Sequence, residues 1–99
     1  MPLEPTKKIL YTSFDEVPRP KGASTHIEAF ARTLGARFGD VWLVTPGPAD
    51  LPVSDFAPGV RQKVLGCPDD NPIGRARTFR AKLVAWLARA QIDFDVIHF

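Results

Sequence analysis

Hydrophobic positions along the chain follow two periods. Ile9-Leu10-Tyr11 and Val41-Trp42-Leu43-Val44 are short, continuous apolar runs, the pattern of strands covered on both faces of a parallel sheet. Between them, Ile27, Phe30, Ala31, Leu34 and Phe38 fall on one stripe at a 3.6-residue period, with Glu28, Arg32 and Arg37 off it. The spacing predicts a helix starting near Thr25, where Thr25 and Glu28 read as a T-x-x-E capping box. Gly39 stands where a left-handed residue closes the helix, and Gly35, one turn earlier, costs some helix stability.

The second half repeats the theme. Residues 46–59 contain four prolines and are expected to form a long irregular loop. Arg61-Gln-Lys-Val-Leu65 reads as a short strand whose charges suit an exposed sheet edge. After the turn-rich stretch 67–72, Ala76, Phe79, Leu83, Trp86, Leu87 and Ala90 share one face of a second helix, roughly Gly74–Gln91. Val96-Ile-His-Phe99 is the last strand. Right-handed crossovers arrange these four strands in the order 3-2-1-4, with a helix on each face of the sheet. The expected class is α/β, a Rossmann-like three-layer sandwich with a parallel sheet. Strands 1 and 4 diverge at a switch point, and ligands of such sheets bind in the crevice at their carboxyl ends.

That crevice is bordered by Phe14–Ser24, and the turn before the first helix is the best candidate for chemistry. Gly22 lacks a Cβ, so a ligand can approach the backbone closely. The N–H groups of Ala23, Ser24 and Thr25 are positioned to face an anionic oxygen at the positive end of the helix. Lys21 and Arg19 supply charge-assisted contacts to a phosphate. Neither G-x-G-x-x-G nor a Walker A motif is present, so dinucleotide and P-loop chemistry are not indicated.

Three stretches carry a resemblance. Lys7-Lys-Ile-Leu-Tyr11, Gly22–Arg37 with its Thr-His-Ile-Glu-Ala-Phe-Ala-Arg core, and Asp40-Val-Trp-Leu-Val-Thr45 together resemble the first strand, loop, helix and strand of the group 1 retaining glycosyltransferases of the GT-B fold. Lys21-Gly22 stands where that family often has Gly-Gly, and His26 stands at its frequent histidine. Asp95-Val-Ile-His-Phe99 resembles the strand leading into the acceptor-side loop. The resemblance implies that residues 1–99 are one partial N-terminal Rossmann-like domain, an incomplete N-terminal half of a GT-B fold. It implies as partners a nucleotide-sugar donor, an acceptor and a facing C-terminal GT-B domain that the 99 residues do not hold. It places the loop at Lys21, Gly22, Ala23, Ser24 and Thr25 near the donor diphosphate, assigns no catalytic residue within the chain, and leaves the piece inactive by itself.

Composition narrows the rest. The chain has 44% hydrophobic and 24% charged residues, which is globular, and enough for one small domain. A net charge of +2 is too small to indicate nucleic acid. Cys67 is the single cysteine, read as an inert thiol in a reducing compartment. No run reaches the length of a membrane span and no signal-peptide core follows Lys8, so the expectation is cytoplasmic. Asp15 and Glu16 are read as solvated acids, His26 as a surface or capping residue, and His98 projects either into the core or toward the cleft. No metal and no cofactor are expected. The second helix carries Arg75, Arg77, Arg80, Lys82 and Arg89 without an acid; with Trp86 this raises a peripheral membrane contact at the inner face of the membrane, against the simpler reading of a solvated flank. A last strand with a bare edge would let the piece dimerise through it. The alternative to a transferase is a small flavodoxin-like or receiver-like binding module.

Overall fold

A computed structural model of the chain describes residues 8–13, 22–68 and 71–98, with the backbone alone for 22–24. Its elements are β1 (Lys8–Thr12), α1 (Gly22–Phe38), β2 (Asp40–Gly47), β3 (Leu51–Ala57), β4 (Val60–Gly66), α2 (Pro72–Ala90) and β5 (Val96–His98). They build a five-stranded sheet in the order β3-β4-β2-β1-β5. Parallel pairing joins β4 to β2, β2 to β1 and β1 to β5. The four strands expected from the sequence therefore stand in the expected order, 3-2-1-4, and β3 adds an antiparallel border next to β4.

Strand alternation divides the core in two. On one face Ile9, Tyr11, Val41, Leu43 and Val60 pack with Ile27 and Ala31 of α1, flanked by Phe30, Leu34 and Phe38. On the other, Leu10, Val44, Leu65 and Cys67 pack with Phe79, Leu83 and Trp86 of α2. Both stripes predicted from helical spacing thus face the sheet, and α2 keeps its place through caps. The Asn71 side-chain oxygen accepts from the N–H of Ile73 at 2.8 Å and of Gly74 at 3.4 Å, with Pro72 in the first turn and Gln91 left-handed at φ 51° after the last.

Three expectations need correction. Residues 46–59 are not an irregular loop: β2 continues through Pro46 to Gly47, and β3 occupies Leu51–Ala57. The prolines are tolerated for identifiable reasons. Val44 accepts from the N–H of Ser13 at 3.2 Å, and β1 ends opposite Val44, so the missing N–H of Pro46 falls on the side where β2 has outrun its neighbour. Pro52 sits on a border strand beside a register shift between Leu51 and Ser54, where proline interrupts little of the ladder. Consequently Arg61–Leu65 is not at the edge; β4 lies between β2 and β3. Finally, α1 begins at Gly22 and not near Thr25, which puts Thr25 and Glu28 inside the helix. Ala23 favours helix strongly and nothing after Pro20 forbids it, so the reading of a capping box does not apply.

Gly35 acquires a meaning that spacing alone does not give. A Cβ there would come within 2.6 Å of the Pro58 carbonyl oxygen, and one at Gly59, itself at φ 77°, within 2.5 Å of the Gly35 oxygen. The helix backbone rests on the β3–β4 turn. In an exposed helix Gly→Ala stabilises by about 1 kcal/mol; here Gly35→Ala is expected to destabilise by about 1–3 kcal/mol through the overpacking it forces, read as a lower midpoint in urea unfolding at unchanged m-value.

The turn after β2 is held by Asp50, which accepts from the Gly66 N–H at 2.7 Å and pairs with Lys82 at 3.4 Å. The Gly66 hydrogen bond, aided by Lys82 and Lys63, holds its carboxyl below the usual range. A depressed folded-state pKa contributes stability that is complete above the unfolded value of about 3.9 and is lost as pH falls through the folded one. Wild type is therefore expected to exceed Asp50→Asn in stability at neutral pH, and the gap to close in chemical unfolding series carried down through the acid range.

Candidate functional site

The topology brings the carboxyl ends of the parallel strands to one side of the molecule. From β1 the chain turns through α1 to β2 on one flank, and from β4 through α2 to β5 on the other. Neighbours of β1 are thus reached in opposite directions, which makes its carboxyl end the switch point. Here lie Thr12 and Ser13, the first turn of α1 and, across β1, His98 at the end of β5.

Gly22, Ala23, Ser24 and Thr25 form that first turn of α1. In an α-helix the N–H groups of the first three residues, here Gly22, Ala23 and Ser24, have no intrahelical carbonyl, and no acidic side chain stands in this turn. At the neighbouring helix start, by contrast, Asn71 already takes up two N–H groups of α2. Of the sequence-derived candidates, Arg19 and Lys21 lie outside the described residues, as do Asp15 and Glu16. His26 is exposed on α1.

His98 goes to the α1 face. Its ring lies 5.2 Å from that of Tyr11 and 5.3 Å from that of Phe30, and Tyr11 meets Phe30 edge-on at 5.2 Å. Burial raises the Tyr11 phenol above its ordinary pKa, so it stays neutral. The three rings tie β5, β1 and α1 together next to the switch point. Register makes this legible in hindsight: Tyr11 pairs with His98, so the two share a face once β1 and β5 are known to be neighbours. Below them Ile9, Phe30, Leu34, Phe38, Val96 and His98 line an apolar groove of about 160 Å³.

Sequence reasoning also missed a buried polar pair. Gln62 Nε2 donates to Thr45 Oγ1 at 3.1 Å, and both residues are buried. The bond locks β4 to β2 on the α1 face and satisfies an amide that would otherwise be costly in the core. On the other face, Arg61 stacks over Trp42 at 5.2 Å and Trp42 meets Trp86 at 5.7 Å. Trp86 is therefore core and not a membrane anchor, and Lys82 is engaged by Asp50, so Arg75, Lys82 and Arg89, spaced seven apart along α2, are not a free basic line.

Cys67 is buried with its N–H on the Gly47 carbonyl at 2.8 Å. Among the described residues no three His, Cys, Asp or Glu side chains are grouped to hold a metal ion, and no helix is long and apolar enough to cross a membrane. A polar hollow of about 400 Å³, lined by residues that include Asp40, Asp55 and Arg61, opens at the amino ends of β2 and β4, away from the switch point.

No curated protein and no solved structure matches the chain. The family model described as Glycosyltransferase Family 4 matches residues 20–99, a span that runs from the start of α1 through β5. With most of its length matched, and with the strand order and helix placement just described, the chain belongs to Glycosyltransferase Family 4, as the N-terminal part of a group 1 glycosyltransferase.

Proposed function

We propose that residues 1–99 form the acceptor-side part of an N-terminal Rossmann-like domain, in an enzyme that moves a sugar from a nucleotide-sugar donor to an acceptor with retention. The family match over residues 20–99, which takes in α1 and β5 but begins after β1, is the observation that carries this reading. In it, the first turn of α1 lies beside the donor diphosphate. Gly22 admits the phosphate to the backbone, the N–H groups of Ala23, Ser24 and Thr25 donate to it, and Lys21 and Arg19 add charge. As the bond between sugar and phosphate breaks, negative charge grows on the leaving diphosphate, and donors fixed beforehand stabilise that charge without reorganising. No side chain of the chain is assigned to the chemical step; those groups are proposed to come from a facing C-terminal domain, and the working compartment to be the cytoplasm.

A receiver-like module is less well supported. Such modules gather carboxylates at the strand ends, whereas β1 ends in Thr12-Ser13 and β2 in Thr45-Pro46-Gly47.

The test uses the native gene product with a panel of nucleotide sugars. Lys21→Ala, removing one charge-assisted contact, is expected to lower kcat/KM by about 10- to 100-fold, and Gly22→Val to do at least as much by blocking the approach. Residues 1–99 expressed alone are expected to show no transfer. Unchanged kinetics in both variants would remove the phosphate role, and transfer by residues 1–99 would overturn the division between domains. Val96 and Ile97 are 43% and 49% exposed on β5, and we propose that this edge pairs with a second copy when residues 1–99 stand alone. Light scattering is expected to show dimers at high concentration; a clean monomer contradicts the pairing.

A further inference from the structure

The polar hollow at the amino ends of β2 and β4 takes no part in the switch-point site. It measures about 400 Å³, within the range of small-molecule sites. Its walls are small for reasons of backbone geometry. Gly39 and Gly59 stand left-handed at φ 80° and 77°, where a side chain is disfavoured, and Ala57 adds only a methyl group. Between Asp55 and Ala57 the β3–β4 ladder shifts register, and an irregularity of this kind bends its strand and re-aims the side chains beside it.

Three charged side chains, Asp40, Asp55 and Arg61, complete the lining. Arg61 stands directly opposite Asp55 across the β3–β4 pair, and Asp40 precedes Trp42 by two residues on β2, so all three share one face of the sheet. Opposite charges so placed ordinarily meet. Here the Arg61 guanidinium lies over the Trp42 ring at 5.2 Å instead, and neither Asp40 nor Asp55 forms an ion pair among the described residues. The indole face attracts the positive charge but leaves guanidinium N–H donors to be taken up. The lining therefore offers acceptors for an ammonium group and donors for a carboxylate, side by side.

Other ligand classes fit less well. A phosphate would meet two carboxylates against one guanidinium. A sugar would find no platform to stack on: no aromatic ring lines the hollow among the described residues, and Trp42 is already met by Arg61 and Trp86. For a metal ion, no three His, Cys, Asp or Glu side chains are grouped among the described residues.

We infer that the hollow binds a small zwitterion, a primary ammonium compound that also carries a carboxylate. Asp40 and Asp55 accept from the ammonium group, and Arg61 donates to the carboxylate. Helix α1 ends at Phe38, next to Gly39 in the wall, and the negative end of its dipole favours the ammonium. The inference stands on these residues and does not depend on the sugar-transfer reading.

Isothermal titration calorimetry of the native gene product tests it with γ-aminobutyrate, a probe whose flexible chain lets its two charges adapt to the spacing of the lining. Butyrate, n-butylamine and glucose serve as comparison ligands. Saturable binding of γ-aminobutyrate is expected, with each comparison ligand weaker by about tenfold or more. Asp40→Asn/Asp55→Asn is expected to weaken it by about 10- to 100-fold, and Arg61→Gln to bring its affinity down to that of n-butylamine. Asp93→Asn, outside the hollow, should change nothing. Far-ultraviolet circular dichroism reports that each variant is folded. No saturable binding, or unchanged affinity in either the Asp40/Asp55 or the Arg61 variant, overturns the proposal. So does n-butylamine or butyrate binding as tightly as γ-aminobutyrate, which would mark a site for a single charge, or a preference for glucose, which would mark a sugar site.

Discussion

The fold depends on the enclosure of β1. It is hydrogen-bonded to a parallel strand on each side, and Ile9, Leu10 and Tyr11 are buried on both faces. A strand in that position cannot expose either face, so helices must cover both. Parallel neighbours also cannot be joined directly by a hairpin, so the chain passes from β1 through α1 to β2 and from β4 through α2 to β5. From these two constraints come the placement of α1 and α2 on opposite faces and the reversal of direction at β1. The switch point is thus a by-product of enclosing one apolar strand.

Contacts at the two ends of the sheet then fix how the layers sit. At the amino end, α1 reaches the β3–β4 turn through two glycines, where backbone meets backbone. At the carboxyl end, Asp50 links the turn after β2 to Gly66 and to α2, and Lys63 donates to the Leu51 carbonyl at 2.7 Å. Gly66 belongs to the same junction: a Cβ there would meet the Asp50 nitrogen at 2.6 Å. One end is defined by steric closeness and the other by charge-assisted hydrogen bonds.

What could be read from the sequence was what burial on a regular period writes there. Val41–Val44 had to be an interior strand because it is apolar at every position, and the stripes of both helices followed from 3.6-residue spacing. The border strand was hidden because Leu51, Pro52, Val53, Ser54 and Asp55 are exposed and so carry no burial pattern, while Pro52 argues against a strand until its edge position is known. Register was equally silent: Gln62 meets Thr45, and His98 meets Tyr11, only through pairings distant in sequence. At the candidate site, Gly22–Thr25 was legible as a helix start preceded by a glycine turn, but its exact beginning was not, since Thr25 makes as good a cap as it does a first-turn residue.

The two helix starts at the carboxyl end of the sheet show why the site is argued for one and not the other. Both present backbone donors at the positive end of a dipole, and neither has an acid in its first turn. At α2, however, Asn71 answers two donors with its own oxygen and Pro72 has no N–H to give. A phosphate there would have to displace a cap worth about 1 kcal/mol and would find fewer donors once it had. At α1 the first turn opens on the small residues Gly22-Ala23-Ser24. In the reading proposed for this domain, the same helix geometry serves stability at the α2 start and a ligand at the α1 start.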